Sequence, residues 1–235
     1  MRLIGNCGND RVIDHLRQVL VSGDRLDLAT SSCSLFAFAQ LQKELLGLTR
    51  CRLLLPGLAA DPGLLGSDAD RAARNRLQSR WLARRMLAWL EQQCEVRCSS
   101  IQIPQGAFVL HSAGQGTTLA MTGSLALTTD GLGLTPGNSM NLIQASETPA
   151  EAGLVSDWFD AQWAALATSG ANPAAIIGQL QDLAGWIAPH QLYLHILRQL
   201  FAGRDGQCDE ETIVKGATGI RETFVWKKLY KFQRD

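Results

Sequence analysis

Apolar residues recur along the first two-thirds of the chain in two alternating rhythms, short β-type runs and longer stretches at helical spacing. Arg2 to Gly5 is a short run suited to a sheet edge. From Asp10 to Leu20 the apolar positions Val12, Ile13, Leu16, Val19 and Leu20 share a helical face, and Ser22 and Gly23 end that helix before a strand at Leu26 to Thr30. Ser34 is placed to cap the next helix, which buries Phe36, Phe38, Leu41, Leu45 and Leu46. Cys51 to Leu55 then forms a central strand stopped by Pro56 and Gly57. The longest helix is predicted at about Ala69 to Gln93, with Leu77, Trp81, Leu82, Met86, Trp89 and Leu90 toward the core.

Four further β-type runs follow, Glu95 to Ser100, Ala107 to His111, Thr118 to Thr122 and Asn141 to Ala145. Ala113-Gly114-Gln115-Gly116 joins the second and third as a hairpin, since its glycines supply the positive φ a tight turn needs. A helix over Pro149 to Thr168 presents Leu154, Trp158, Phe159, Trp163 and Leu166 as its buried face. Alternation of this kind predicts an α/β fold, a mixed β-sheet flanked by helices, over residues 1–168. Polar and helix-breaking residues mark a linker at 169–172, and a small helical extension is expected over 173–235. Within that extension, Ala174 to Ile187 and His190 to Ala202 read as helices. Gly203 to Gly219 is Gly-rich and acidic, and Trp226 to Asp235 is basic, with Lys227, Lys228, Lys231 and Arg234.

The 235 residues are 46% hydrophobic and 19% charged, as in a soluble globular chain with one substantial domain and an appendage. Lys plus Arg and Asp plus Glu are 22 each, so net charge exerts no global pull toward nucleic acid or a membrane surface. The first residues, MRLIGNCGND, hold no apolar leader core, and no run reaches the roughly 18 apolar residues of a membrane helix; a cytoplasmic protein without a membrane association is the expectation. Six cysteines are scattered without a C-x-x-C pair, which reads as reduced thiols rather than a disulfide framework or a metal site, and no cofactor motif is present.

The string Gly106-Ala107-Phe108-Val109-Leu110, a Gly-containing hairpin, and Met121-Thr122-Gly123-Ser124-Leu125-Ala126-Leu127-Thr128 resemble the active-site strand pair of phospholipase D-like nucleases. That family is marked by H-x-K-x-x-x-x-D followed by G-S-x-N. The strand at Leu26 to Thr30 with the helix and strand that follow, and Ser156-Asp157-Trp158-Phe159 to Trp163, extend the resemblance over residues 1–168. In the family the His attacks phosphorus, a second His protonates the leaving oxygen, and Lys and Asn hold the non-bridging oxygens. Here the His position is Gln105, the Lys is Ala107, the Asp is Ser112, the Asn is Ala126, and a Glu of the following region falls at about Met140. Only Gly123 and Ser124 match. An amide is no nucleophile at phosphorus and a methyl group cannot neutralise a phosphate, so the resemblance implies a domain without catalysis. No H-x-K occurs anywhere in the chain. Members with a single motif per chain pair two copies, so the resemblance also implies a homodimer.

Gln191-Leu192-Tyr193-Leu194 to Leu200-Phe201 and Lys228-Leu229-Tyr230-Lys231-Phe232-Gln233-Arg234-Asp235 resemble the bridge from such a domain into a bacterial superfamily two helicase. The chain has no G-x-x-x-x-G-K-[ST], and in Lys215-Gly216-Ala217-Thr218-Gly219 the Lys precedes the glycines, so an ATPase or helicase motor is expected to follow Asp235.

Three residue sets remain as candidates for binding. Gly123 and Ser124, with His111, could hold a phosphate without cleaving it. Arg76, Arg80 and Arg84 recur every four residues, with Arg71, Arg74 and Arg85 close by, and could track a DNA backbone from one helix face; a solvated face partly neutralised by Asp68, Asp70 and Glu91 is the more ordinary account of them. Three functions are therefore open: a non-catalytic accessory domain of a helicase-type protein that contacts DNA or dimerises, an altered phosphodiesterase that uses His111, and a protein-interaction scaffold.

Overall fold

A computed structural model describes residues 1–57, 63–76, 78–169 and 174–185, together with positions 190, 193, 194 and 197. Among the described residues, seven strands form one mixed sheet. In chain order the elements are β1 (Arg2–Ile4), α1 (Val12–Val19), β2 (Arg25–Ala29), α2 (Leu35–Leu46), β3 (Arg50–Pro56), a 3-10 turn (Asp68–Asp70), α3 (Arg71–Asn75), α4 (Ser79–Gln93), β4 (Cys94–Ser99), β5 (Gly106–Ser112), β6 (Gly116–Gly123), β7 (Ile143–Ala145), α5 (Pro149–Ser169) and α6 (Ala174–Gly185). The strand order is β1-β7-β6-β5-β2-β3-β4. β2, β3 and β4 run parallel, and every other pairing is antiparallel.

Alternation along the strands sends each side chain to one of two layers. Leu26 and Leu28 of β2, Leu53 and Leu55 of β3 and Phe108 and Leu110 of β5 enter the larger core beneath α1, α2 and α4. The intervening Ala29, Leu54, Ala107 and Val109 form a smaller cluster with Ala152, Val155, Phe159 and Trp163 of α5. Ser34 caps α2 as its position predicts, its Oγ accepting from the Ala37 N–H at 3.0 Å. Gly114 and Gly116 of the β5–β6 hairpin take φ of +80° and +77°.

The single long helix over Ala69 to Gln93 is not formed. The stretch is divided into a 3-10 turn, α3 and α4, and the longest helix among the described residues is α5, with 21 residues. The physical reason is a competing cap. Ser67 and Asp70 form a reciprocal capping box, and the Asp70 carboxylate, 3% exposed, also accepts from the Thr129 hydroxyl at 2.7 Å. These bonds fix a short turn against the 129 segment. Trp81 is 54% exposed rather than buried, whereas Leu82, Met86, Trp89 and Leu90 are buried as expected; Leu77 lies outside the described residues.

On α5 the buried apolar positions are Ala152, Val155, Phe159 and Trp163, so Leu154 and Trp158 turn away to one flank, 71% and 44% exposed. Of the linker expected at 169–172, Ser169 ends α5 and residues 170–172 lie outside the described residues; α6 buries Ile176, Leu180 and Ala184 in the same larger core as α4, within one compact unit. That unit spans Met1–Trp186, and Ile187–Asp235 form a second. The helix expected at His190 to Ala202, the stretch Gly203 to Gly219 and the basic end Trp226 to Asp235 lie outside the described residues apart from positions 190, 193, 194 and 197. Among the described residues no helix is long and apolar enough to cross a membrane.

Candidate functional site

β5 enters the sheet at Gly106, directly opposite Gly123 of β6. Neither position tolerates a side chain. A Cβ on Gly106 would meet the Leu125 carbonyl oxygen at 1.9 Å, and one on Gly123 would meet that of Leu142 at 2.1 Å, with φ already at +125°. The 124–127 segment is thereby pressed against the start of β5. It is also tied to the head of α2, where Ser34 N–H donates to the Leu127 carbonyl and Leu127 N–H to the Thr30 hydroxyl.

This packing sets two hollows side by side, with Pro104 lining both. The larger, about 620 Å³, lies between the 99–105 loop and α5 at the carboxyl ends of β2 and β3. Gln105 is on its wall, and Ala107, 1% exposed, is on its floor beside Ala29 and Leu54. Ile101, Leu154 and Trp158, each at least 44% exposed, belong to the same lining. No Lys, Arg, His, Asp or Glu lines it among the described residues. The smaller hollow, about 430 Å³, is polar; Ser124 and Ala126 line it with Ser31, Thr128, Asp130 and Asn141. It offers hydroxyls, but among the described residues its only charged side chain is the Asp130 carboxylate, and none supplies the cation that would favour a phosphate.

The positions that the phospholipase D resemblance aligns are thus partly gathered. Gln105, Ala107, Ser124 and Ala126 face these two neighbouring hollows, and Gly123 fixes the crossing between them. Met140 does not join them and is 86% exposed. Ser112 ends β5 at the opposite side of the sheet, its Oγ 3.3 Å from that of Thr118. His111 lies there too, opposite Arg25 of β2, so it cannot share a ligand with Gly123 and Ser124. The expected grouping of these three is corrected by the length of β5.

His111 belongs instead to a buried network that the sequence reading missed. Its Nε2 is 2.6 Å from Oδ2 of Asp27, which is fully buried, and its Nδ1 is 3.1 Å from Oγ1 of Thr117. Arg52 donates to both Asp27 oxygens at 2.7 and 2.6 Å, and to Asp160 of α5 at 2.6 Å. Its guanidinium also lies over the Phe159 and Trp163 rings. Burial alone would raise the Asp27 pKa, but the bonds from Arg52 and His111 outweigh it and hold it down at about 2. The same bonds to Asp27, less the cost of burial, raise that of Arg52. The signal was present in sequence: Asp27 and Arg52 interrupt apolar strands covered on both faces, where an unpaired charge is untenable.

The arginines do not form one stripe, since the break before Ser79 separates Arg71, Arg74 and Arg76 from Arg80, Arg84 and Arg85. Several are engaged within the fold. Arg74 donates to the carbonyls of Leu65 and Ser67, Arg80 to that of Ala184, and Arg85 lies over Trp81. Arg71 and Arg84 are exposed. Among the cysteines, burial pushes the Cys33 thiol up to about 12 and raises Cys94 as well, which keeps both protonated and poor nucleophiles at neutral pH. No known protein-family model matches the chain, and no curated protein is significantly similar to it.

Proposed function

We propose that residues 1–168 are a catalytically inactive phospholipase D-like domain, an accessory module of a helicase-type protein, whose former catalytic cleft joins two copies of the chain. One observation carries this reading. Among the described residues, the cleft that holds Gln105 and Ala107 is lined by no imidazole and no cation, and its rim exposes Ile101, Leu154 and Trp158. Phosphoryl transfer needs a nucleophile and positive charge at the phosphate, and this lining offers neither. An apolar rim of this kind favours a protein surface. A second copy is the occupant because the resembling single-motif proteins pair through this face. The helicase context rests on the resemblance of the tail.

The test is sedimentation velocity over a range of concentrations, alongside a cleavage assay on single- and double-stranded DNA. We expect a dimer that Trp158→Asp converts to monomer, and no cleavage with or without EDTA. A wild-type monomer at high concentration removes the dimer reading, and metal-independent cleavage abolished by His111→Ala restores the nuclease. DNA contact is a weaker element of the proposal, because Arg74, Arg80 and Arg85 are already engaged. A mobility shift whose salt slope is unchanged in Arg71→Ala with Arg84→Ala would remove it.

A further inference from the structure

Two hollows of opposite character share one wall. Pro104 lines both the apolar cleft of about 620 Å³ and the polar hollow of about 430 Å³ beside it. The cleft has a floor of short side chains, Ala29 and Ala107, flanked by Leu54 and Val155. Gln102, Gln105 and Gln162 line it as exposed residues, and among the described residues none of their amides is taken up in a hydrogen bond. An amide offers a donor and an acceptor side by side. The edge of a nucleobase presents the matching pair.

The polar hollow is built around Asp130. Its main chain is held firmly, the carbonyl accepting from Asn6 Nδ2 and from the Gly133 N–H, each at 3.0 Å. Its side chain, by contrast, has no hydrogen-bond or ion-pair partner among the described residues, although the residue is half-buried. A carboxylate partly withdrawn from water and left without donors gains most from a ligand that brings them. Two polar neighbours stand beside it. A Cβ on Gly137 would lie 3.7 Å from the Asp130 Cβ and 4.0 Å from Asn141 Nδ2, so carboxylate and amide border the same space. Ser124 joins them, because its N–H donates to the Leu142 carbonyl at 2.9 Å, next to Asn141 in the chain.

We propose that the two hollows together bind an uncharged ribonucleoside, its planar base in the cleft over Ala107 and its sugar across Pro104 in the polar hollow. The neighbouring sugar hydroxyls donate to the two Asp130 oxygens, and Asn141 Nδ2 and the Ser124 hydroxyl donate to sugar oxygens. The base edge pairs with the Gln105 amide while its faces meet the apolar floor. Charge selects the unphosphorylated form. No Lys, Arg or His lines either hollow among the described residues, and the Asp130 carboxylate repels a phosphate. A free sugar forgoes the apolar contact, and a free base forgoes Asp130. This site shares the cleft with the pairing of copies proposed above but does not rest on it, since its sugar contacts, Asp130, Asn141 and Ser124, lie in the other hollow.

The experiment is calorimetric titration of the full chain with adenosine, guanosine, cytidine and uridine, and then with the 2′-deoxy form, free base and 5′-monophosphate of the tightest. We expect one saturable site for that nucleoside, with each of the three derivatives weaker by at least about tenfold. Asp130→Asn should weaken the nucleoside by a similar factor and erase the preference for ribose over deoxyribose, while leaving the affinity for the free base unchanged. Gln105→Ala, at an exposed position, should weaken nucleoside and free base alike, severalfold. If Asp130→Asn does not fold, Asn141→Ala, also exposed, carries the sugar side of the test, with loss of nucleoside but not of free-base affinity. No saturable binding of any nucleoside, tighter binding of the monophosphate, or an unchanged ribose preference in folded Asp130→Asn overturns the proposal. Nucleoside binding is read by titration and pairing by sedimentation, so either can fail without the other.

Discussion

Asp27 shows what a single residue decides in this fold. It is fully buried, yet it stays ionised because Arg52 and His111 hold it well below an ordinary carboxylate. Its folded pKa of about 2 lies under the unfolded value of 3.8, so its stabilisation is complete above the unfolded value. That contribution, about 2 kcal/mol at 1.36 kcal/mol per pKa unit, is lost as the pH falls from about 4 through 2. Asp27→Asn should flatten this acid limb. It should also destabilise the protein by about 3–5 kcal/mol at neutral pH, because it strips Arg52 and His111 of their shared acceptor. Urea unfolding of both proteins between pH 6 and pH 2 measures the two effects. Asp27 and Arg52 were visible in sequence as polar interruptions of apolar strands. Their convergence with His111 and Asp160 was not, because those partners lie 84 and 108 residues away along the chain and meet only through strand register.

The strands and helices were legible wherever one periodicity ruled and a cap or breaker closed the segment. Ser34 before α2 and the glycines of the β5–β6 hairpin are examples, each acting through its own local bond or φ value. The stretch from Ala69 to Gln93 misled because its helical spacing is real on both sides of the break, while the cause of the break, Asp70 held by Thr129, is a contact between distant segments. Leu154 and Trp158 were placed inward for a related reason. The sequence shows which residues are apolar, but only the packing of Phe159 and Trp163 on the sheet fixes which flank stays open. Gly106 illustrates the opposite kind of information, a requirement carried by the lack of a side chain. Because the Leu125 carbonyl occupies the place of its Cβ, Gly106→Ala should pry the 124–127 segment from β5. We expect a loss of about 3 kcal/mol or more, read as a lower urea midpoint, and loss of any dimer formed at the adjacent cleft.

Across the molecule the two faces of the sheet do different work. The face under α1, α2 and α4 carries the larger apolar core, whereas the face under α5 changes from apolar at the carboxyl ends of β2 and β3 to charged at their amino ends. The apolar end was reached from the sequence through the resemblance at Gln105 and Ala107, on which the proposed function rests. The charged end carried no motif, because Arg25, Arg50, His111 and Thr117 come from four strands.

β1 bears a further consequence, for biogenesis. It precedes β7 by more than a hundred residues, yet among the described residues β7 is its strand partner, with Arg2 opposite Ala145. A ribosome thus delivers this segment more than a hundred residues ahead of its mate, and the sheet edge stays open throughout. Long-range closure of this kind is slow and leaves exposed edges open to aggregation. Nascent chains arrested after residue 140 should remain sensitive to protease, while chains arrested far enough downstream to free α5 should resist it. Pulse proteolysis of stalled ribosome complexes checks this. A chaperone's opportunity on this sheet is set by how long β1 waits for β7.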